Sequence, residues 1–230
     1  MVMTLSTVVP FGRSLAEYIG MFNLTMNDLK KQILGVGDGP ASFNAEATAL
    51  GYAVTSIDPI YQFRGQEILQ RFDAVVDDII NQVRATPNDW VWDYHHSPDD
   101  LRKNRVEAIH TFIADYDRGK AAGRYVTAEL PRLNIPNQQF DLVLCSHLLF
   151  LYSAQLPYSF HLESIQAMLK VSREVRIFPL LTLMLERSPH LAPIMQTLQE
   201  QGYSPKIVKV PYEFQKGGNE MLVITAQNHD

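Results

Sequence analysis

Apolar and polar residues alternate along the chain in blocks that are typical of strands and helices in turn. Short apolar runs at 32–37, 52–57 and 140–145 have the length and composition of buried strands. The first run ends in glycines, and the small residues of 41–50 favour a helix that stops at Gly51. Strand, glycine turn, helix and strand form a βαβ unit, which predicts a parallel sheet.

The rest of the chain continues this alternation. Further strands are predicted at 125–128, 174–178, 206–210 and 221–225. The last two flank a glycine turn that is typical of an antiparallel hairpin, and a helix capped by Ser188-Pro189 precedes them. We therefore expect an α/β fold, with a doubly wound, mostly parallel, seven-stranded sheet, helices on both faces and a C-terminal antiparallel hairpin.

The stretch between the second and third strands is longer than a usual connection. Two segments within 65–123 carry apolar residues at helical spacing, and the second follows a helix start at Ser97-Pro98. We expect a single domain over residues 1–230, with a helical lead-in at 1–30 and two long helices inserted at 65–123. The insertion is either a cap over the active site or a surface decoration that could serve a homodimer.

Composition narrows the class of protein. The chain has 230 residues and a net charge of −5, without a basic run longer than Lys30-Lys31, so we expect no nucleic-acid partner. Cys145 is the only cysteine, which excludes an intramolecular disulfide and a thiolate zinc cluster. Residues 1–10 lack the pattern of a secretory signal, and no apolar run has the length of a membrane span. We expect a cytoplasmic protein without a membrane partner.

The glycine turn is the most informative motif. Gly35, Gly37 and Gly39 lie between a strand and a helix, where exposed backbone amides favour a negatively charged ligand. Asp58 ends the next strand, where an acid hydrogen-bonds a ribose diol in such folds. Pro40 replaces the last glycine of a dinucleotide fingerprint, which disfavours an NAD-dependent oxidoreductase.

These residues resemble the class I S-adenosylmethionine-dependent methyltransferases, and an uncharacterised bacterial branch in particular. Residues 33–40 look like the first motif of that family, and Asp58 matches its ribose-binding acid. Residues 129–141 are similar to its acidic residue, variable loop and Phe-Asp pair. The resemblance implies that S-adenosylmethionine is the cofactor, that Glu129 contacts the adenine amino group and that Leu130 packs near the ring.

The fourth strand ends in Cys145-Ser146-His147, not in the Asn/Asp-Pro-Pro motif of nucleobase methyltransferases. This departure and the acidic charge favour a small-molecule acceptor over DNA. A sulfonium methyl group needs positioning and exclusion of water more than a catalytic triad. His147 is the candidate base or orienting group, or else a structural histidine. Tyr152 is a candidate pocket wall or a core aromatic, and Ser146 is expected to contact the cofactor.

The role of Arg13 and the function of the protein each have two alternatives that stay open at this point. Arg13 is expected in an N-terminal amphipathic helix with Phe11 and Tyr18, either paired with the cofactor carboxylate or solvated at the surface. The pair His95-His96 has no third ligand at metal spacing, so we expect no metal. The main functional hypothesis is methyl transfer to a small molecule, and the rival is a catalytically inactive sensor that binds the same cofactor.

Overall fold

The structure, a computed structural model, describes residues 9–226. The strands are β1 (Ile33–Val36), β2 (Val54–Ile57), β3 (Tyr125–Val126), β4 (Phe140–Ser146), β5 (Ser172–Phe178), β6 (Tyr203–Lys209) and β7 (Glu220–Ala226). The helices are α1 (Leu15–Phe22), α2 (Met26–Leu29), α3 (Phe43–Ala49), α4 (Gly65–Ala85), α5 (Pro98–Ala121), α6 (Tyr158–Val171) and α7 (Leu191–Glu200).

All seven strands belong to one sheet, with the order β3-β2-β1-β4-β5-β7-β6. Strands β1 to β5 pair in parallel, whereas β7 lies antiparallel to both β5 and β6. The expected doubly wound sheet with a C-terminal antiparallel hairpin is therefore confirmed. The chain reverses its direction of winding between β1 and β4, and ligands bind outside the carboxyl ends of strands at such a switch point.

Side chains from the two faces of the sheet build two apolar clusters. On one face, Leu34 and Val143 pack with Ile165 of α6 and Ile194 of α7. On the other face, Ile33, Leu142 and Leu144 pack with residues of α1 and α3. Helices thus cover both faces, which is why the interior of β4, from Leu142 to Cys145, is apolar on both faces of the sheet.

The inserted segment forms α4 and α5, which confirms two long helices between β2 and β3. They have a cluster of their own, in which Ile68 and Phe72 of α4 meet Phe112 and Tyr116 of α5 around Tyr61. The Ser97 hydroxyl accepts the Asp100 amide and so starts α5 at the predicted place. No helix within residues 9–226 has both the length and the apolar composition that are needed to span a bilayer.

Two predicted helix starts are wrong. The Ser14 hydroxyl accepts the Glu17 amide and the Glu17 carboxylate accepts the Ser14 amide, so this capping box starts α1 at Leu15 and leaves Arg13 outside the helix. Helix α7 begins at Leu191 after His190, and Ser188 does not cap it. The Ser188 hydroxyl instead accepts the amide of His190, two residues along a turn.

Candidate functional site

A cavity of about 560 Å³ opens beside the carboxyl ends of the central strands. Five of the residues that line it belong to the glycine bend or lie at or just after the carboxyl ends of β2 and β4, and all five were expected at the site from the sequence. They are Gly37, Gly39, Asp58, Ser146 and His147. Arg13 and Tyr152 also line it, so the structure brings seven predicted site residues to one cavity.

The glycine bend and the acid after β2 are in direct contact. The Gly39 amide donates a hydrogen bond to one oxygen of Asp58 at 2.9 Å, and the Ile60 amide donates to the other oxygen at 2.8 Å. Burial raises the pKa of Asp58, and these two amide hydrogen bonds oppose that rise. Tyr61 fixes the other side of the bend, since its hydroxyl donates to the Gly39 carbonyl at 2.7 Å.

The bend leaves its backbone accessible to a ligand, but the amides of Gly37 and Gly39 are already hydrogen-bonded within the protein. The Gly37 amide donates to the Ile57 carbonyl at 2.9 Å and the Gly39 amide is bound to Asp58, which corrects the expectation that both would face a ligand. Gly39 has a φ of 55°, and a side chain added there would meet no other atom of residues 9–226 within 4 Å. A ligand can therefore approach this backbone closely.

Gly35 has a different role from the one predicted. It lies inside β1 and away from the cavity wall, and a Cβ atom at this position would stand 1.9 Å from the Asp38 carboxylate. The absence of a side chain at Gly35 makes room for Asp38. That carboxylate accepts hydrogen bonds from the Tyr18 hydroxyl at 2.7 Å and from the Ser56 hydroxyl at 2.6 Å.

Asp38 supports the bend from below, and the sequence analysis assigned it no role. Burial raises its pKa to about 7, and the nearby Asp58 charge adds to the rise, although Ser56 and Tyr18 oppose it. The available signal was an acid between two glycines, but its hydroxyl partners come from α1 and β2 and cannot be found by local pattern.

His147 is held as a neutral imidazole at the cavity. Its φ is 51°, and its amide donates to the Phe178 carbonyl at 2.7 Å. The Ser146 hydroxyl lies 2.8 Å from Nδ1, which leaves Nε2 as the ring nitrogen free to meet a ligand. Burial lowers the pKa of His147 well below its ordinary value, and the charges of Arg13 and Arg105 lower it further.

Arg13 is half-buried, and residues 9–226 supply no ion pair for its guanidinium within 4 Å. Its Nη1 donates to the Phe11 carbonyl at 2.9 Å, and its Nε has no hydrogen-bond partner in that part of the chain. Burial and the neighbouring Arg105 lower the pKa of Arg13, while Glu17 raises it. This guanidinium is suited to an anionic group of a ligand.

The Arg13 segment is anchored by a buried cluster. Arg105 of α5 donates two hydrogen bonds to the Glu17 carboxylate, at 2.7 and 2.6 Å, and both side chains are 1% exposed. His95 Nε2 lies 3.2 Å from the Glu17 carboxylate, and the Tyr212 hydroxyl donates a hydrogen bond of 3.1 Å to the same carboxylate. The cluster joins α1 to the inserted helices, and His95 belongs to it while His96 is exposed.

Tyr152, Glu129 and Leu130 differ in where they lie. Tyr152 is buried and lines the cavity, and its burial raises the pKa of its hydroxyl. Glu129 and Leu130 lie outside the set of residues that line the cavity. Glu129 pairs through its backbone with Arg132, and Leu130 packs into the core cluster that contains Val36.

The sequence analysis missed most of the far wall of the cavity. It is built from the inserted helix α4 and from two distant segments, and it includes Arg71, Val75, Ile79, Trp90, Phe214 and Gln215. The helical spacing of the apolar residues in α4 was predicted, but which of them would line a cavity was not. The helix in fact buries one row against α5 and turns a second row toward the cavity.

Solved structures with a related fold include two methyltransferases. One is magnesium protoporphyrin IX methyltransferase from Synechocystis PCC 6803 with bound SAM, at 12% identity and a TM-score of 0.47, covering 93% of this chain and 78% of that one. The other is a SAM dependent methyltransferase from Aquifex aeolicus, at 12% identity and a TM-score of 0.41, covering 92% and 88%. Likenesses of this degree carry no argument about the reaction or the substrate.

A curated protein is much more similar in sequence. MJ0045 of the archaeon Methanocaldococcus jannaschii, an uncharacterised protein, is 36% identical over 223 residues, which cover 96% of this chain and 98% of that protein. No protein-family model matches the chain. Because the identity extends over nearly the whole of both proteins, the chain belongs to the same family as MJ0045.

Proposed function

We propose that the protein is an S-adenosylmethionine-dependent methyltransferase that acts on a small molecule. One observation carries the proposal: the Gly37–Gly39 bend is hydrogen-bonded to Asp58, and both line one cavity with Arg13, whose guanidinium has no ion-pair partner among residues 9–226. Two further features support it. The seven-stranded sheet with its antiparallel last strands fits the fold that the family resemblance implies, and residues 33–40 look like the first motif of the class I methyltransferases.

The side chains at the cavity match the chemical groups of this cofactor. Arg13 is a cation for which residues 9–226 supply no ion-pair partner, and it suits the amino-acid carboxylate. The Asp58 carboxylate retains lone pairs beyond those used by the Gly39 and Ile60 amides, and suits the two ribose hydroxyls. Ile60, which lines the cavity next to Asp58, supplies apolar surface for the base.

When bound, the cofactor supplies an electrophilic methyl group, and the chain's task is to place the acceptor and exclude water. His147 Nε2 is the nitrogen that we propose takes the proton of the acceptor or orients it. The pKa of the imidazole is low, and in the tautomer whose Nδ1–H donates to the Ser146 hydroxyl, Nε2 can accept a hydrogen bond from a hydroxyl or amine. Tyr152, buried at the same cavity, serves as a wall.

We propose that the insertion at 65–123 is a cap. Residues of α4 and Leu101 of α5 line the cavity, so the inserted helices close the space in which the acceptor would bind. A cavity of about 560 Å³ must hold cofactor and acceptor together, and pockets for single drug-sized ligands span roughly 300–1,000 Å³. This size suits a small acceptor.

Calorimetric titration with S-adenosylhomocysteine tests the cofactor assignment. We expect saturable binding by the wild type and a loss of roughly 10-fold or more in affinity for Asp58→Asn and for Arg13→Met, because each loses hydrogen bonds to or from a charged group. Asp93→Asn and Arg173→Met change exposed residues of the same types and should bind as the wild type does. No heat at millimolar ligand, or equal binding by all variants, would contradict the proposal.

A labelled-methyl experiment separates the enzyme from a sensor. The protein is incubated with methyl-labelled S-adenosylmethionine and a small-molecule extract, and the products are separated by chromatography. Methyl transfer predicts a labelled product that is absent with Arg13→Met. Cofactor binding without any labelled product would favour the sensor.

A further inference from the structure

One row of side chains on α4 lines the cavity, from its exposed part to its buried part. Arg71, Val75, Ile79 and Val83 are spaced by four residues, so they lie on the same face of the helix, and all four line the cavity. Their exposure falls in order along the row, since Arg71 is exposed, Val75 is half-buried and Ile79 and Val83 are buried. The cavity therefore extends into the insertion and ends there.

The walls at the closed end are apolar. Opposite the α4 row lie Trp90 and Leu101, and the Trp90 ring stacks on Phe214 with centroids 4.7 Å apart and planes 19° from parallel. We call this part of the cavity the apolar arm, defined by Val75, Ile79, Val83, Trp90, Leu101 and Phe214. None of these six side chains can neutralise a charge, so a charged group in the arm would lose its hydration without compensation.

A hydrogen-bonding group beside the arm is half satisfied. Gln215 lines the cavity next to Phe214, and its Nε2 donates to the Thr182 carbonyl at 3.3 Å. That bond fixes the amide, because Nε2 must face a carbonyl acceptor. Its Oε1 is buried and receives no hydrogen bond from residues 9–226. A buried acceptor without a donor costs about 1–3 kcal/mol, which a ligand donor would recover.

We propose that the apolar arm and Gln215 bind the methyl acceptor, and that this acceptor is an uncharged small molecule with an aromatic or alkyl body and a hydroxyl or aromatic amine as its hydrogen-bond donor. The proposal rests on the proposed function for the word acceptor, whereas the binding site itself does not depend on it. The body fills the arm by apolar contact, and the donor meets Gln215 Oε1.

Trp90 makes the arm observable by fluorescence. The chain has two tryptophans, Trp90 and Trp92, and only Trp90 lines the cavity. In a Trp92→Phe protein, 4-bromophenol serves as the probe, because its bromine quenches tryptophan on contact. We expect saturable quenching. Quenching that rises linearly with probe, as in free solution, would overturn the proposal.

Two variants on the same helix locate the probe. In the Trp92→Phe background, Val75→Glu places a charge in the arm, and we expect it to weaken 4-bromophenol binding at least 10-fold. Gln70→Glu adds the same charge at an exposed position outside the arm and should leave binding unchanged. Equal effects of the two variants, or tighter binding of 4-bromobenzoate than of 4-bromophenol, would overturn the proposed site or its preference for uncharged ligands.

Gln215 is tested by comparing a donor with its methyl isostere. The Trp92→Phe protein should bind 4-bromophenol about 5- to 10-fold more tightly than 4-bromotoluene. Gln215→Leu should remove that preference while retaining 4-bromotoluene, and an unchanged preference would exclude Gln215 as the partner.

Titration of the same variants with S-adenosylhomocysteine distinguishes the two proposals. Val75→Glu should bind it normally, while Arg13→Met should lose it and retain saturable 4-bromophenol quenching. Cofactor binding without saturable quenching would overturn the acceptor site alone, whereas quenching without cofactor binding would overturn the proposed function alone.

Discussion

The Gly39 amide donates a hydrogen bond of 2.9 Å to the Asp58 carboxylate, across 19 positions of sequence. This bond joins the loop after β1 to the end of β2, so the bend and the acid move as one unit. The Tyr61 hydroxyl holds the Gly39 carbonyl at 2.7 Å and fixes the other side of the loop. The surface offered to a ligand is thus set before it binds, which reduces the ordering cost of binding.

Asp38 should make the stability of the protein depend on pH. Its folded pKa of about 7 lies above the value near 3.9 of an unfolded Asp, so the folded state binds the proton more tightly. This contribution to stability is fully present below about pH 4 and is lost as the pH rises through about 7. In Asp38→Asn the side chain cannot ionise, so its contribution to the stability of the protein should not change with pH.

Urea unfolding of wild type and Asp38→Asn at a series of pH values measures this effect. The free energy of unfolding of the wild type, minus that of the variant, should fall by up to about 4 kcal/mol from acid to neutral pH. A difference that stays constant, or that rises with pH, would show that the Asp38 carboxylate is not protonated more readily in the folded state.

His147 should stay neutral across the physiological range. Burial and the charges of Arg13 and Arg105 lower its pKa well below the ordinary value, so its ring should not gain a proton between about pH 6 and 8. Heteronuclear NMR of the histidine rings over this pH range checks this. Protonation of the His147 ring within the range would contradict the neutral imidazole.

Glu17→Gln should destabilise the protein strongly. The variant leaves the Arg105 guanidinium buried without a counter-charge, and breaking a buried pair from one side costs about 3–5 kcal/mol. The free energy of unfolding in urea is the measurement. Glu67→Gln removes an exposed ion pair with Arg64 at the start of α4, and it should cost far less than Glu17→Gln because solvent screens that pair. Similar losses for both variants would refute the anchoring role of Glu17.

The sequence predicts the sheet well because its signals are local. The apolar runs of β1 and β4 and the glycine turn after β1 report burial and backbone conformation directly. The position of Asp58 beside the cavity could be predicted because Asp58 follows the carboxyl end of a parallel strand, the edge at which open α/β sheets bind ligands. The start of α1 was misplaced because the capping box at Ser14 was not recognised.

The far wall of the cavity could not be predicted in the same way. An apolar residue on α4 has the same sequence pattern whether it packs in the cluster with α5, as Phe72 does, or lines the cavity, as Ile79 does. Gln215 and Trp90 meet through long-range pairing that leaves no periodic trace. Gly35 was assigned to the ligand because the clash with Asp38 that requires glycine there appears only in three dimensions.

Two-dimensional amide NMR during titration with S-adenosylhomocysteine tests the central claim most directly. The account predicts saturable shifts of the Gly37 and Gly39 amides, with Gly51 and Gly202, which end α3 and α7 away from the cavity, unchanged. The shifts should weaken in parallel in Asp58→Asn. Saturable shifts confined to other regions of the chain, or no shift of Gly37 and Gly39 at saturating ligand, would contradict it.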